Sequence, residues 1–269
     1  MLIKIKFIFF LFMRNLFTFL RNNINYYTGD VNVVYDVLVY RKKYFDTPKK
    51  KVLYTCLTGN YDTLRQHSCI DFEYDYICFT DNNRLLMMGD YGVWKIKPLQ
   101  YTCSDNTRNS RWHKTHPHIL FKDYDISIWV DSNVDIKDEF FFSNVMKNKL
   151  DKIKIPLHRS CNCIYKECKR VVRFNKELPE NSLKIKKFLQ DNHFPKRYGL
   201  NETNVIYRKH NDIQIVTIME MWWYFINNYS KRDQLSLSYV LWKHGIKSCD
   251  IIFPNTHKGK LLFTFYSHK

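Results

Sequence analysis

The tightest constraint on this chain is residues 126–136. Ile126, Ser127, Ile128, Trp129 and Val130 make a nearly unbroken apolar, β-branched and aromatic run, as in a strand buried on both faces of a parallel sheet. The run stops abruptly at Asp131, Ser132 and Asn133, so oxygen-bearing side chains stand at a strand's carboxyl end. In open α/β sheets that end faces the ligand crevice, and Asp131 and Asn133, two residues apart, both point into one site. Hard oxygen ligands there suit Mg²⁺ or Mn²⁺ carrying a diphosphate. They equally suit an ordinary Asp/Asn turn with no metal.

At 269 residues the chain is long enough to bury a substantial core as one large α/β domain. A composition that is 45% hydrophobic and 17% aromatic excludes a largely disordered protein, and no internal repeat is visible. The formal net charge of +17 attracts polyanions, anionic membrane or phosphorylated substrates. Lys, Asn, Ile, Phe and Tyr are abundant together, as an AT-rich genome also produces, and no helix-turn-helix, zinc-finger or ribonucleoprotein signature occurs. Nucleic acid is therefore not the expected partner. Eight cysteines fit reduced thiols and a cytoplasmic location better than a disulfide framework. His158, Cys161, Cys163 and Cys168 lie close in sequence without a paired C-x-x-C, which leaves a zinc site and ordinary buried thiols both open.

Residues 2–20 are rich in Phe, Leu and Ile but are interrupted by Lys4, Lys6, Arg14 and Asn15. That pattern is poor for a signal peptide or a membrane span. On a helix, Lys4, Arg14, Asn15, Thr18 and Arg21 gather on one side, as peripheral contact with an anionic membrane through residues 1–22 requires; docking on the protein's own core is the alternative. Residues 1–50 read as this amphipathic segment plus a basic linker, and residues 51–269 as the catalytic-sized domain.

A first strand over residues 51–59 breaks at Gly59 into a loop carrying Tyr61 and Asp62. A second, over residues 74–80, ends in Asp81, repeating the pattern of apolar run followed by acidic turn and pointing to a common crevice. Residues 108–118 read as a helix on which Arg111 and Lys114, three apart, share a face, placed to meet phosphates or a base near Asp131 or simply to be solvated. Further on, residues 183–194 form a basic helix ended by Pro195, and residues 204–208 a strand. Asp212 caps a helix whose Trp222 and Trp223 belong mainly to the core. Asp233 and Gln234 open a last helix running to His244; a carboxylate there is often only a cap.

Taken in order, the strand from Val52 to Thr55 with Gly59, Tyr61 and Asp62, the strand from Tyr76 to Asp81, Arg111 with Lys114, Trp129 to Asn133, and Arg232 to Ser236 resemble a glycosyltransferase-like domain family. This is the family of plant mucilage-related and turgor-regulation proteins, which also has bacterial members. It is in turn similar to glycogenin and lipopolysaccharide-galactosyltransferase enzymes. The resemblance implies a single-domain α/β fold of the glycosyltransferase-A, Rossmann-like kind, with a mixed, mostly parallel central sheet flanked by helices. It implies a nucleotide-sugar donor, Mn²⁺ (or Mg²⁺), and a glycan, glycolipid or protein acceptor. Asp131 and Asn133 fall on the Asp-x-Asp metal motif, with an amide in place of the second carboxylate; Asp135 is a spare carboxylate of uncertain direction. His257 and Lys260 fall, at tighter spacing, where relatives carry a further metal ligand and a donor-binding lysine. Thr55, Gly59, Tyr61, Asp62, Asp81, Arg111 and Lys114 become donor-site candidates. His158, Arg159 and Glu202 become acceptor-site candidates, and Glu167, Asp233 and Gln234 the catalytic ones.

The expectation is a metal-dependent glycosyltransferase, retaining by similarity to the glycogenin type. Two other readings are a membrane-associated lipid amide or ester hydrolase, motivated by the hydrophobic N-terminus and the His/Cys group, and a non-catalytic polyanion-binding module, motivated by the charge. The hydrolase lacks a Gly-x-Ser-x-Gly elbow or a His-Glu-x-x-His pair.

Overall fold

A computed structural model describes residues 49–146 and 151–268 of the chain. The expectations placed on residues 1–48 lie outside these. Strands β1 (Lys51–Leu57), β2 (Tyr74–Thr80), β4 (Trp94–Pro98) and β5 (Ile126–Val130) run parallel. With β3 (Asp90–Tyr91), β7 (Ile153–Lys154) and β8 (Val205–Arg208) they form a seven-stranded sheet of order β3-β4-β2-β1-β5-β8-β7. β8 runs antiparallel to β5 and β7 to β8, so the sheet is mixed but mostly parallel in its centre, as the family resemblance implied. Order reverses beside β1, whose sequence neighbour β2 lies on one side while β5 lies on the other, and that reversal opens a crevice at the carboxyl ends.

The side chains of β1 alternate between two cores. Val52, Tyr54 and Cys56 pack under helices α5 (Ile164–Arg173), α6 (Pro179–Asp191), α7 (Ile213–Asn228) and α8 (Gln234–Lys243), whereas Leu53 and Leu57 face the opposite layer. That layer holds α1 (Asn83–Met88), α4 (Phe140–Met146), and a small sheet pairing β6 (Val134–Ile136) with β11 (Phe263–Phe265). Between β4 and β5 come α2 (Asn106–Thr115) and α3 (Pro117–Leu120), one helix pattern split in two. The break falls at His116 because Pro117 disfavours helical geometry in the residue before it and is itself suited to a helix start. Helix α6 begins at Pro179 and ends at Asp191, earlier at both ends than expected from residues 183–194, again with a proline in its first turn.

Asp212 caps α7 by accepting from the Gln214 N–H at 3.0 Å. Trp222 is wholly buried and Trp223 packs against Tyr101 and His116, so neither serves as an open sugar platform. Asp135 is fully buried, turned toward the loop before β2, where Ser68 and the Tyr266 hydroxyl bond it. A second hairpin, β9 (Thr256–His257) with β10 (Lys260–Leu261), carries two of the expected site residues. Among the described residues no helix is long and apolar enough to cross a membrane.

Candidate active site

At the carboxyl end of β5, Asp131 meets two basic side chains from the last turns of α2. Lys114 and Arg111 are three residues apart and therefore share a helix face, which is turned toward the sheet. The Lys114 ammonium is completely buried and lies 3.2 Å from Asp131 Oδ1 and 2.7 Å from Asp233 Oδ2. Arg111 Nε stands 3.2 Å from the same Asp233 oxygen, off the line of a hydrogen bond, and Nη1 is 4.0 Å from Asp131 Oδ1. Asp233 sits just before α8 and accepts from the Gln234 N–H and from the Thr203 hydroxyl. It is thus both the helix cap and one corner of a buried array of two carboxylates and two cations.

Burial alone would raise the Asp233 carboxyl, but the charges of Arg111, Lys114 and Arg232 outweigh it and hold its pKa below the usual carboxylate range. The Lys114 pKa is lowered, because burial and the like charge of Arg111 outweigh Asp131 and Asp233. Burial would lower Arg111 as well, yet the two carboxylates raise it. The array is held from behind: the Tyr54 hydroxyl donates to the Lys114 carbonyl at 3.1 Å, as does Arg208 Nη1 at 2.6 Å. Trp129 Nε1–H donates to Asp131 Oδ1 at 2.7 Å.

This array opens on a crevice of about 1020 Å³. On one side lies the loop after β1. Gly59 has φ +62°, and a Cβ there would meet Asn106 Nδ2 at 2.2 Å, so only glycine fits. Asp81 does not line the crevice; it accepts from the Gly59 N–H through both oxygens and fixes that turn. Asp62 accepts from the Ser132 hydroxyl at 2.7 Å and pairs with His268 Nδ1 at 2.9 Å, bringing the loops after β1 and β5 and the chain beyond β11 together. Tyr61 is largely exposed beside His268. Thr55, expected at the donor, is instead buried within β1 and does not reach the crevice.

The opposite wall carries the acceptor candidates. His158 Nδ1 accepts from the Ser160 and Cys161 N–H groups, which places its proton on Nε2, 4.0 Å from Glu167. Glu167 is buried and its Oε2 lacks a hydrogen bond although Arg170 is 3.8 Å away. Arg159 pairs with Glu202 at 3.6 Å. With His158 Nδ1 committed to backbone and Cys161 donating to the Cys163 carbonyl, the His/Cys group is not assembled as a zinc site. Among the described residues no three His, Cys, Asp or Glu side chains cluster as metal ligands, and all eight cysteines are free.

The structure thus gathers Gly59, Tyr61, Asp62, Arg111, Asp131, Asn133, His158, Arg159, Glu167, Glu202, Asp233 and Gln234 around one crevice, with Lys114 beneath it. It does not bring His257 or Lys260 there. His257 stacks on Phe140 at 3.7 Å between ring centroids and Lys260 is exposed on the β9–β10 hairpin. Near the C-terminus it is His268 rather than His257 that lines the crevice, and its approach depends on β11 pairing with β6, a contact with no local motif. Sequence reading also missed Arg208, wholly buried with no carboxylate among the described residues within ion-pair distance. Its only trace was a charged residue closing an apolar strand.

Solved structures similar to this chain include three glycosyltransferases. The WbbM bifunctional glycosyltransferase, in its apo form, shares 12% identity at a TM-score of 0.40 over 72% of this chain and 37% of WbbM; the chain spans little more than a third of that protein. The mannosyltransferase Ktr4p from S. cerevisiae shares 11% at 0.39, covering 80% of this chain and 76% of Ktr4p. Mouse xyloside xylosyltransferase 1, also apo, shares 10% at 0.40, covering 73% and 82% respectively. No curated protein matches the sequence. The glycosyltransferase-like domain described as TOD1/MUCI70 matches residues 19–267, nearly the whole chain, and the protein belongs to that family.

Proposed function

We propose that this protein transfers a glycosyl group from a nucleotide-sugar donor to a glycan, glycolipid or protein acceptor, with retention at the anomeric carbon. The observation that carries the reading is the buried Lys114 ammonium bridging Asp131 and Asp233 at the carboxyl edge of the sheet, with Arg111 beside it. Two fixed cations at a strand-end crevice suit a reaction whose barrier lies in charge growing on a departing diphosphate.

The residues present fit a divalent cation. Asp131 Oδ2 and Asn133 Oδ1 carry no hydrogen bond among the described residues, and both side chains line the crevice. Two hard oxygens suffice for Mg²⁺ or Mn²⁺, which keep waters and substrate phosphates as further ligands. When bound, such an ion supplies Lewis-acid stabilisation of the leaving diphosphate.

Arg111 lies at the crevice surface and receives phosphate charge directly, while Lys114 keeps Asp131 and Asp233 in place from below. Asp233 lies at the crevice with only 2% of its side chain exposed, and it orients Lys114, Arg111 and the Thr203 hydroxyl there. Its lowered pKa and several partners suit it to positioning rather than to carrying a proton, which favours proton transfer to the leaving phosphate itself. Were the reaction inverting, Glu167 would be the base to test, because its unbonded oxygen lies beside His158.

The test is donor turnover: purified protein, Mn²⁺, a panel of nucleotide sugars, and detection of released nucleoside diphosphate, beside Asp131→Ala. Release from one donor, lost in the variant, supports the reading; a fully active Asp131→Ala protein overturns it. We further propose a cytoplasmic location with peripheral membrane contact through residues 1–22. Equal partitioning of a peptide of those residues into anionic and neutral vesicles would refute the charge-driven part.

A further inference from the structure

Helix α5 presents Glu167, Arg170, Val171 and Phe174 to the crevice, spaced three, four and seven residues from the first and so on one helical face. Phe174 ends that face with 56% of its surface exposed, an aromatic ring at a crevice wall with the Arg170 and Arg173 guanidiniums each 5.9 Å from its centroid. The chain then turns sharply. Asn175 takes φ +52°, and the Lys176 N–H returns to the Val171 carbonyl at 2.8 Å, a left-handed helix stop that folds Lys176 back over the crevice side.

The charges along this wall are unevenly compensated. Arg159 has Glu202, Arg170 shares Glu167 with His158, and Lys231 has Asp105 at 3.1 Å. Lys176 and Arg232 both line the crevice, and among the described residues no carboxylate stands within 4.0 Å of either. Arg232 Nε is moreover screened from solvent without a hydrogen-bond partner. A screened, unpartnered guanidinium edge is costly unless something supplies an oxygen. Arginine forks match carboxylate and phosphate groups, and an exposed ring beside them offers a stacking face to a sugar.

We propose that this wall is a subsite for an anionic glycan, with a sugar ring on Phe174 and an acidic substituent held by Arg170, Lys176 and Arg232. The assignment of that glycan as the acceptor rests on the proposed transferase reading; the binding itself does not. The acidic group is a carboxylate or a phosphate, which the same cations would hold.

Titration calorimetry at low salt with three probes decides this: hyaluronan hexasaccharide for carboxylate, mannose 6-phosphate for phosphate, and maltohexaose as the neutral control. The expected result is at least tenfold tighter binding of one anionic probe than of maltohexaose, weakening as salt rises. Lys176→Glu and Arg170→Gln should each weaken that probe by roughly tenfold and change maltohexaose less than twofold, while Phe174→Ala should weaken both. Thermal melting of each variant checks that the fold is kept. Preference for hyaluronan identifies a uronate and preference for the phosphate probe a phosphorylated glycan. Equal binding of neutral and anionic probes, or equal losses for both in Lys176→Glu, overturns the subsite. Donor turnover by the unaltered protein is measured alongside, and its failure would refute the transferase reading while leaving the binding result standing.

Discussion

Replacing Lys114 by Met removes one ammonium from a place where nothing else can substitute for it. The lysine side chain has no exposed surface and that of Asp233 only 2%, so water does not take over solvation of the carboxylate left behind. Removing one member of a buried ion pair typically costs about 3–5 kcal/mol, mostly from the uncompensated partner. Here Arg111 stays 3.2 Å from the same Asp233 oxygen and Thr203 still donates to it, which places the expected loss near the lower end, at about 3 kcal/mol. Urea unfolding at pH 7 reads this directly. The partner test is Lys114→Met with Asp233→Asn, which keeps an oxygen to cap α8 but removes the stranded charge. The double variant should recover about 1–2 kcal/mol relative to additivity. Acid provides an independent sign. In the intact protein the Asp233 pKa is lowered, so its contribution is present above the unfolded value of about 3.9 and is lost as pH falls through the folded value. Without Lys114 the folded pKa rises, so the stability gap between variant and parent should narrow from pH 7 toward pH 4. A loss under about 1 kcal/mol, or strictly additive single variants, would refute the claim that the four charges form one coupled array.

Two other outcomes are expected. Gly59→Ala forces a Cβ into Asn106 and a residue with a side chain into φ +62°, so donor affinity should fall at least several-fold. A companion Asn106→Gly should restore part of it, and unchanged donor affinity in Gly59→Ala would contradict the close approach. Burial pushes His67, His113, His116 and His210 down to about 4, below their usual value near 6.5. The fold favours their neutral forms, so stability should be full above about pH 6.5 and decline as pH falls toward 4. A denaturation midpoint flat across that window would show that they are not shielded in solution.

Parts of this architecture are legible because burial writes itself into local sequence. β2 occupies Tyr74–Thr80 with every residue buried, and the expected bounds coincide with it for that reason. Likewise the change from Val130 to Asp131 marks where a buried strand emerges into the crevice. Arg111 and Lys114 were readable as a shared helix face, but not the identity of their partner: Asp233 lies 119 residues from Lys114, and only the packing of α2 against α7 and the sheet brings them together. Asp135 is a different case. Its direction is open in the sequence, and the structure settles it because the backbone two residues beyond Asn133 has already entered β6, whose pairing with β11 turns it into a closed polar pocket. His257 and His268 were indistinguishable by residue type, and the short β9–β10 hairpin diverts the first while the strand after it delivers the second.

The pairing of β11 with β6 also ties the order of the chain to the state of the crevice. Asn133, which lines the crevice, donates through Nδ2 to the Tyr266 carbonyl and accepts the Tyr266 N–H at its own carbonyl. His268, the last described residue, therefore stands at the mouth of the crevice beside Tyr61. A histidine purification tag fused there would place metal-seeking imidazoles next to Asp131 and Asn133 and confound any titration with Mn²⁺. A preparation for such measurements is better served by a handle that is cleaved away or carried elsewhere.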